Sequence, residues 1–123
     1  MIEYIRIDVL MALLVSHFIG DFILQSDRLA INKSSSNSIL FQHILMYSIP
    51  FLLFFNPIFV LFNAVLHFMT DYTTSRVAKG FRNRGDNHNF FITIGFDQFI
   101  HMVTLSLSYV ILSEMYGSMF YYV

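Results

Sequence analysis

The chain has 123 residues, 56% hydrophobic and only 12% charged, with a formal net charge of −1 and no cysteine. A typical soluble domain carries about 25% charge and one this small buries only about 60–70% of its surface, so a soluble fold would keep an apolar patch of a size that soluble monomers avoid and a bilayer covers. The near-neutral balance gives no field toward nucleic acid, and without cysteine neither disulfides nor thiolate metal ligands are available.

The length predicts one domain over residues 1–123. The start does not read as a cleaved leader, because Glu3 and Asp8 interrupt a basic region and no small-x-small site follows. Four long apolar segments follow: Ile5 to Leu24, Ile39 to Phe55, Pro57 to Ser75 and Phe90 to Leu112. Each is close to the about 17–25 residues of a spanning helix, which predicts an all-α bundle of four transmembrane helices. Pro50 is expected to kink the second helix or displace its end, and Pro57, after the turn signal Asn56, suits the first turn of the third. Ser26–Ser38 and Arg76–Asn89 read as polar loops with capping serines and asparagines.

With four spans these two loops share a side. They hold Arg28, Lys33, Arg76, Lys79, Arg82 and Arg84, leaving Arg6 as the sole basic residue opposite. The positive-inside rule then predicts a multi-pass protein of the cytoplasmic (inner) membrane, with both loops in the cytoplasm and both termini outside. Tyr116, Phe120, Tyr121 and Tyr122 would form an outer aromatic belt.

Ionisable residues inside spans are expensive and are functional suspects. Here they repeat a pattern. His17 and Asp21, His67 and Asp71, and Asp97 and His101 are each four residues apart, hence on one helical face. Helices one and three read His then Asp, whereas helix four, running the other way, reads Asp then His. Antiparallel helices need this reversal to build two common layers, with aspartates roughly 7–12 Å and histidines roughly 13–18 Å from the basic loops. His43, on the second helix beside Gln42, falls near the aspartate layer. Imidazole and carboxylate together suit Zn²⁺, Mn²⁺ or Fe²⁺, and helical bundles build such sites from inward-facing side chains. The expected ligands, for one or two divalent ions, are His17, Asp21, His43, His67, Asp71, Asp97 and His101, with Asp21, Asp71 or Asp97 available as a catalytic base. Gln25, one turn beyond Asp21, is expected to orient a ligand or touch a headgroup. Gln98 adjoins Asp97 at a large angular offset and is a weaker candidate for the same role.

Other polar residues have plainer readings. His88 is a solvated loop residue, Asp27 with Arg28 a surface pair at a helix end, Asp86 part of a turn, and Asp8 an outer-interface group. The phenylalanines are lipid-facing bulk. The basic run Arg76–Arg84 serves topology and nonspecific attraction to anionic lipid, or forms a phosphate-recognising rim over the site.

The strings HFIGDFILQSD (His17 to Asp27), HFMTDY (His67 to Tyr72) and FDQFIHM (Phe96 to Met102), with His43 opening the second helix, resemble the family catalogued as domain of unknown function 3307. The likeness spans nearly the whole chain. It implies a small polytopic membrane protein whose polar signature is the seven residues above, and it supplies no reaction. A looser similarity is to membrane-bound metal-dependent hydrolases, which place His and Asp at helical spacing in spans. Short, Phe-rich and with a brief second span, the chain reads as a reduced member such as a phage would encode.

Three functions follow as expectations. The first is a metal-dependent hydrolase acting on a phospholipid, an isoprenoid phosphate or another membrane-proximal ester. The second is a proton or metal-ion transporter using the same residues, against which stands the sparse polarity of the outer halves (Ser16, Ser48, Asn63, Thr104, Ser106, Ser108). The third is a non-catalytic interaction protein. Membrane lipid is the expected partner, along with a second copy or another membrane protein.

Overall fold

The computed structural model describes residues 5–122; Glu3, invoked above for the N-terminus, lies outside them. The described chain is helical. Helix α1 (Ile7–Phe18) runs into a π-helical turn, Ile19–Ile23, followed by α2 (Asp27–Asn32), α3 (Asn37–Leu52), α4 (Pro57–Asn83) and α5 (Asn87–Tyr116). The π turn carries the wider i to i+5 bond, Leu24 N–H to Ile19 C=O at 2.8 Å.

Side chains cap four of the helix starts. Ser26 accepts from Leu29 N–H, Ser36 from Ile39 N–H, Asn56 from Ile58 N–H and Asp86 from Asn89 N–H; such caps contribute about 1 kcal/mol each. The side-chain and backbone N–H groups of Asn89 hold the Asp86 carboxyl below its ordinary pKa. Pro57 occupies the first turn of α4, and α3 ends at Leu52, soon after Pro50.

The four long elements form a closed ring. Helix α1 packs on α3 and α5, α3 on α4, and α4 on α5, while the backbones of the diagonal pairs stay apart; α2 lies against α3. Gly20 permits the closest approach. A Cβ there would stand 2.7 Å from the Tyr47 carbonyl oxygen, so only glycine lets the π turn settle on α3. One half of the bundle is filled by an apolar core that includes Val9, Leu13, Phe51, Phe55, Phe59, Leu105 and Leu112. The C-terminal tail folds back over the α3–α4 turn, with Asn56 N–H bonded to Met119 C=O (2.8 Å) and Tyr121 N–H to Phe54 C=O (2.9 Å). The other half is polar inside.

The outside is the reverse of a soluble protein's. Leu61 and Phe91 are each 69% exposed and Phe99 63%, in company with many other large apolar side chains, whereas the histidines and aspartates at the centre are at most 6% exposed. Helix α5 is long and apolar enough to cross a membrane by itself, the one such helix among the described residues.

Three expectations need correcting. The polar stretch Ser26–Ser38 contains α2. The stretch Arg76–Asn89 is mostly helix, because α4 continues through Asn83 and α5 begins at Asn87, leaving a three-residue turn in which Gly85 takes φ +73°. Ala78, Lys79 and Arg82 suit a helix, and a hydropathy reading mistakes a solvated helix for a loop. Phe120 is not part of an exposed aromatic belt. It is buried, bridged to Phe55 with ring centroids 5.5 Å apart, while Tyr116, Tyr121 and Tyr122 are exposed.

Gly20→Ala is expected to push α1 off α3 and to cost about 1–3 kcal/mol, read as a lowered Tm by circular dichroism in detergent. An unchanged Tm would show that the contact is not limiting.

Candidate metal centre

Three His/Asp pairs and the single His43 of α3 meet in the polar half of the ring interior. Six of the seven expected side chains fall into the tightest contacts. His43 Nε2 lies 3.1 Å from Asp21 Oδ1 and 3.2 Å from Asp71 Oδ2; His67 Nε2 lies 3.5 Å and 3.3 Å from the same two oxygens. The two imidazole nitrogens are 3.2 Å apart. His101 Nε2 stands 3.2 Å from Asp71 Oδ1, the second oxygen of that carboxylate, and 3.2 Å from Asp97 Oδ2.

These spacings have a simple meaning. Metal–donor bonds of about 2.0–2.1 Å in a tetrahedron give donor–donor edges of about 3.3 Å. Asp21, His43, His67 and Asp71 present one donor atom each, all within 4.8 Å of one another, and five of the six edges measure 3.1–3.5 Å. Asp21 Oδ1 is buried with the Nε2 atoms of His43 and His67 at 3.1 and 3.5 Å, neither of them set at hydrogen-bonding geometry toward it. An orphaned carboxylate oxygen beside two converging Nε2 atoms fits cation coordination better than a hydrogen-bond network. Asp21, Asp97 and His101 form a second group that can hold an ion.

The imidazoles are held by stacking. The Tyr47 ring lies on His67 (centroids 3.8 Å) and His67 on His101 (4.0 Å, 11° between planes). The Nδ1 atoms of His43 and His67 lack hydrogen-bond partners; for His67, stacking replaces the outer hydrogen bond that usually fixes a ligating imidazole.

His17 stands apart from both donor groups. Its Nε2 pairs with Gln98 Oε1 at 2.7 Å and its Nδ1 with the Tyr47 hydroxyl at 2.9 Å. The amide oxygen can only accept, so His17 donates from Nε2 and Tyr47 donates to Nδ1. Gln98 also donates to Asp21 Oδ2 (2.9 Å) and Asp97 Oδ2 (3.1 Å), linking the π turn to α5. It is therefore the stronger of the two glutamines, contrary to its angular offset in the sequence; Gln25 Oε1 is buried without a partner.

Lys33, Tyr47 and Thr74 escaped the sequence reading. Tyr47 is four residues after His43 and Thr74, which donates to Asp97 Oδ1, is three after Asp71, so helical spacing contained both. Nothing in the spacing marks Lys33, which reaches in from the end of α2 to Asp71 Oδ2 at 2.9 Å. Burial alone would lower its pKa, but Asp71 and Asp21 outweigh burial and hold it above its ordinary value. The plainer readings largely stand: His88 is exposed, Asp86 is a cap and Asp8 pairs with Arg6. Arg28, however, bonds Gln42 rather than Asp27.

A cavity of about 300 Å³ opens beside the cluster on the side of α2 and the α4–α5 turn, reaching Asp71 and Asp97 but none of the histidines. Asp21 and Asp71 oxygens less than 4.8 Å apart repel by about 3–4 kcal/mol at an effective dielectric constant of about 20, so positive charge is required. Lys33→Met is expected to destabilise metal-free protein by about 3 kcal/mol and to be rescued by Zn²⁺ or Mn²⁺, measured by Tm in detergent with and without chelator. Equal loss in both conditions would mean that no cation substitutes for the lysine.

No curated protein and no solved structure matches the chain. The model of the family described as protein of unknown function (DUF3307) matches residues 9–123. A match over nearly the whole length, carried by the same helices that assemble the His/Asp centre, means that the chain belongs to that family.

Proposed function

We propose that the protein is a four-span enzyme of the cytoplasmic membrane, a hydrolase dependent on one or two divalent metal ions (Zn²⁺, Mn²⁺ or Fe²⁺) and acting on a phosphate or other ester of a membrane lipid. The observation that carries the reading is the set of donor spacings around Asp21, His43, His67 and Asp71, which match tetrahedral edges. The inverted distribution of apolar side chains supports the membrane setting. At about 40 Å and 45 Å, α4 and α5 exceed the roughly 30 Å hydrocarbon core, so their basic junction would lie in water on the cytoplasmic side.

In this reading Asp21, His43, His67 and Asp71 hold the first ion. A bound divalent ion would supply Lewis acidity toward a substrate oxygen and an attacking water, which requires a coordination position beyond the four protein donors. Asp97 and His101, paired at 3.2 Å beside that set and reaching the cavity through Asp97, accept the proton that water loses and return one to the departing alcohol oxygen. Gln98 and Thr74 orient Asp97, and Gln98 also fixes Asp21. A second ion would take Asp21, Asp97 and His101, with Asp21 common to both sets.

Transport by the same residues is the less favoured reading. Away from the cavity the interior is closed by aromatic packing, Tyr47 on Phe51 (5.1 Å) and Phe55 on Phe59 (4.9 Å), and its main polar contact is Asn63 with Ser108. A one-sided site suits chemistry at a surface better than passage through it.

Elemental analysis of detergent-purified protein should give about one or two equivalents of Zn, Mn or Fe, lost in His67→Ala and Asp71→Asn. Asp97→Asn should keep the first ion yet lower ester hydrolysis by about 100-fold or more. Absence of stoichiometric metal after reconstitution with Zn²⁺ and Mn²⁺ would overturn the reading. The lack of native cysteine makes orientation measurable with single-cysteine variants. Ser34→Cys should react with an impermeant maleimide only from the cytoplasmic side and Tyr121→Cys only from outside; the opposite labelling would reverse the topology.

A further inference from the structure

We propose that the cavity beside the metal centre is a binding site for a phosphoryl group, so that the substrate class is a phosphate ester rather than a carboxylic ester. This inference deepens the metal-dependent reading and rests on it for the floor of the site.

The first argument is convergence. Topology alone asks only that basic residues lie on one side, not that they meet. Arg76 lies over the Tyr72 ring and bonds Asn37, Arg84 lies over Phe81, and Arg28 bonds Gln42. Lys33, Lys79 and Arg82 instead line one cavity, whose floor is Asp71 and Asp97. Lys79 is held by the Ser35 hydroxyl at 2.5 Å and Arg82 by the face of Phe90 at 4.7 Å. Neither contact is with a carboxylate, so both charges remain available to an anion.

The second argument is charge balance. Lys33 and one divalent ion together neutralise Asp21, Asp71 and Asp97. Lys79 and Arg82 are then left over, and a phosphomonoester dianion balances two positive charges where a neutral carboxylic ester balances none. Ammonium and guanidinium groups are also the usual donors to phosphate oxygens. The third argument is the cavity wall. Ile31 and Ile94, 62% and 38% exposed, line it while also facing outward, so an apolar chain attached to the phosphate can leave sideways along an apolar surface.

Isothermal titration of Mn²⁺-loaded, detergent-purified protein with inorganic phosphate tests this. Wild type should bind saturably. Lys79→Gln combined with Arg82→Gln, both on exposed side chains, should weaken binding by about tenfold or more with metal content unchanged, while Arg76→Gln combined with Arg84→Gln should leave it unaltered. Competition then separates the sources of the phosphoryl group. Displacement of phosphate by dihexanoyl phosphatidic acid, and not by dihexanoyl phosphatidylcholine, would identify a lipid headgroup; displacement by glycerol 3-phosphate alone would identify a soluble ester. Full metal content with no phosphate binding, or with equal binding in the Lys79/Arg82 variant, would overturn this inference alone. Loss of metal from wild type would instead overturn the metal reading and the floor of the site with it.

Discussion

Three carboxylates enclosed in an apolar envelope set the terms for the rest of this molecule. Asp21, Asp71 and Asp97 come from three different helices and are almost fully buried, where each unpaired charge costs several kcal/mol. Imidazoles from all four long helices, one amide and one lysine answer them. The bundle is thus held at its polar end by contacts that converge on shared acceptors. At its other end it is held by aromatic packing and the tail that covers the α3–α4 turn. The two ends divide the labour: one offers chemistry, and the other excludes water.

Much of this arrangement was legible because it obeys helical arithmetic. The His/Asp pairs four residues apart, and their inverted order on the helix that runs the other way, predicted that the seven side chains share one zone; the structure gathers them there. Composition likewise foretold the apolar exterior. Pro57 and the serine caps sit where local rules put them, since those rules involve only neighbours in the chain.

What escaped was whatever depends on contacts between distant segments. Gln98 looked badly angled because its offset was measured against Asp97 on the same helix, whereas its partners His17 and Asp21 lie on α1 and in the π turn that follows it. Lys33 belongs to a short helix hidden in a polar stretch, and only the docking of α2 on α3 brings it to Asp71. Phe120 reads as one more aromatic near the end until the tail returns to Phe55. Hydropathy also overstated the polar loops, since a solvated helix end carries the same residues as a loop.

The π turn at Ile19–Ile23 has a consequence for how the site tolerates change. A π turn amounts to one extra residue carried inside an otherwise α-helical rod, and each residue of such a rod turns about 100°. Removing one residue from Ile19–Ile23 would let the rod close as ordinary α-helix without breaking it. Because the turn had absorbed that residue, the face bearing Val9, Leu13 and His17 and the entry into α2 would both stay near their places, whereas a deletion in the regular part of α1 would rotate one side against the other by about that angle. A single insertion or deletion in α1 itself has no such slack: it would turn Val9 and Leu13 relative to Asp21 and set the apolar half of the bundle out of register with the polar cluster.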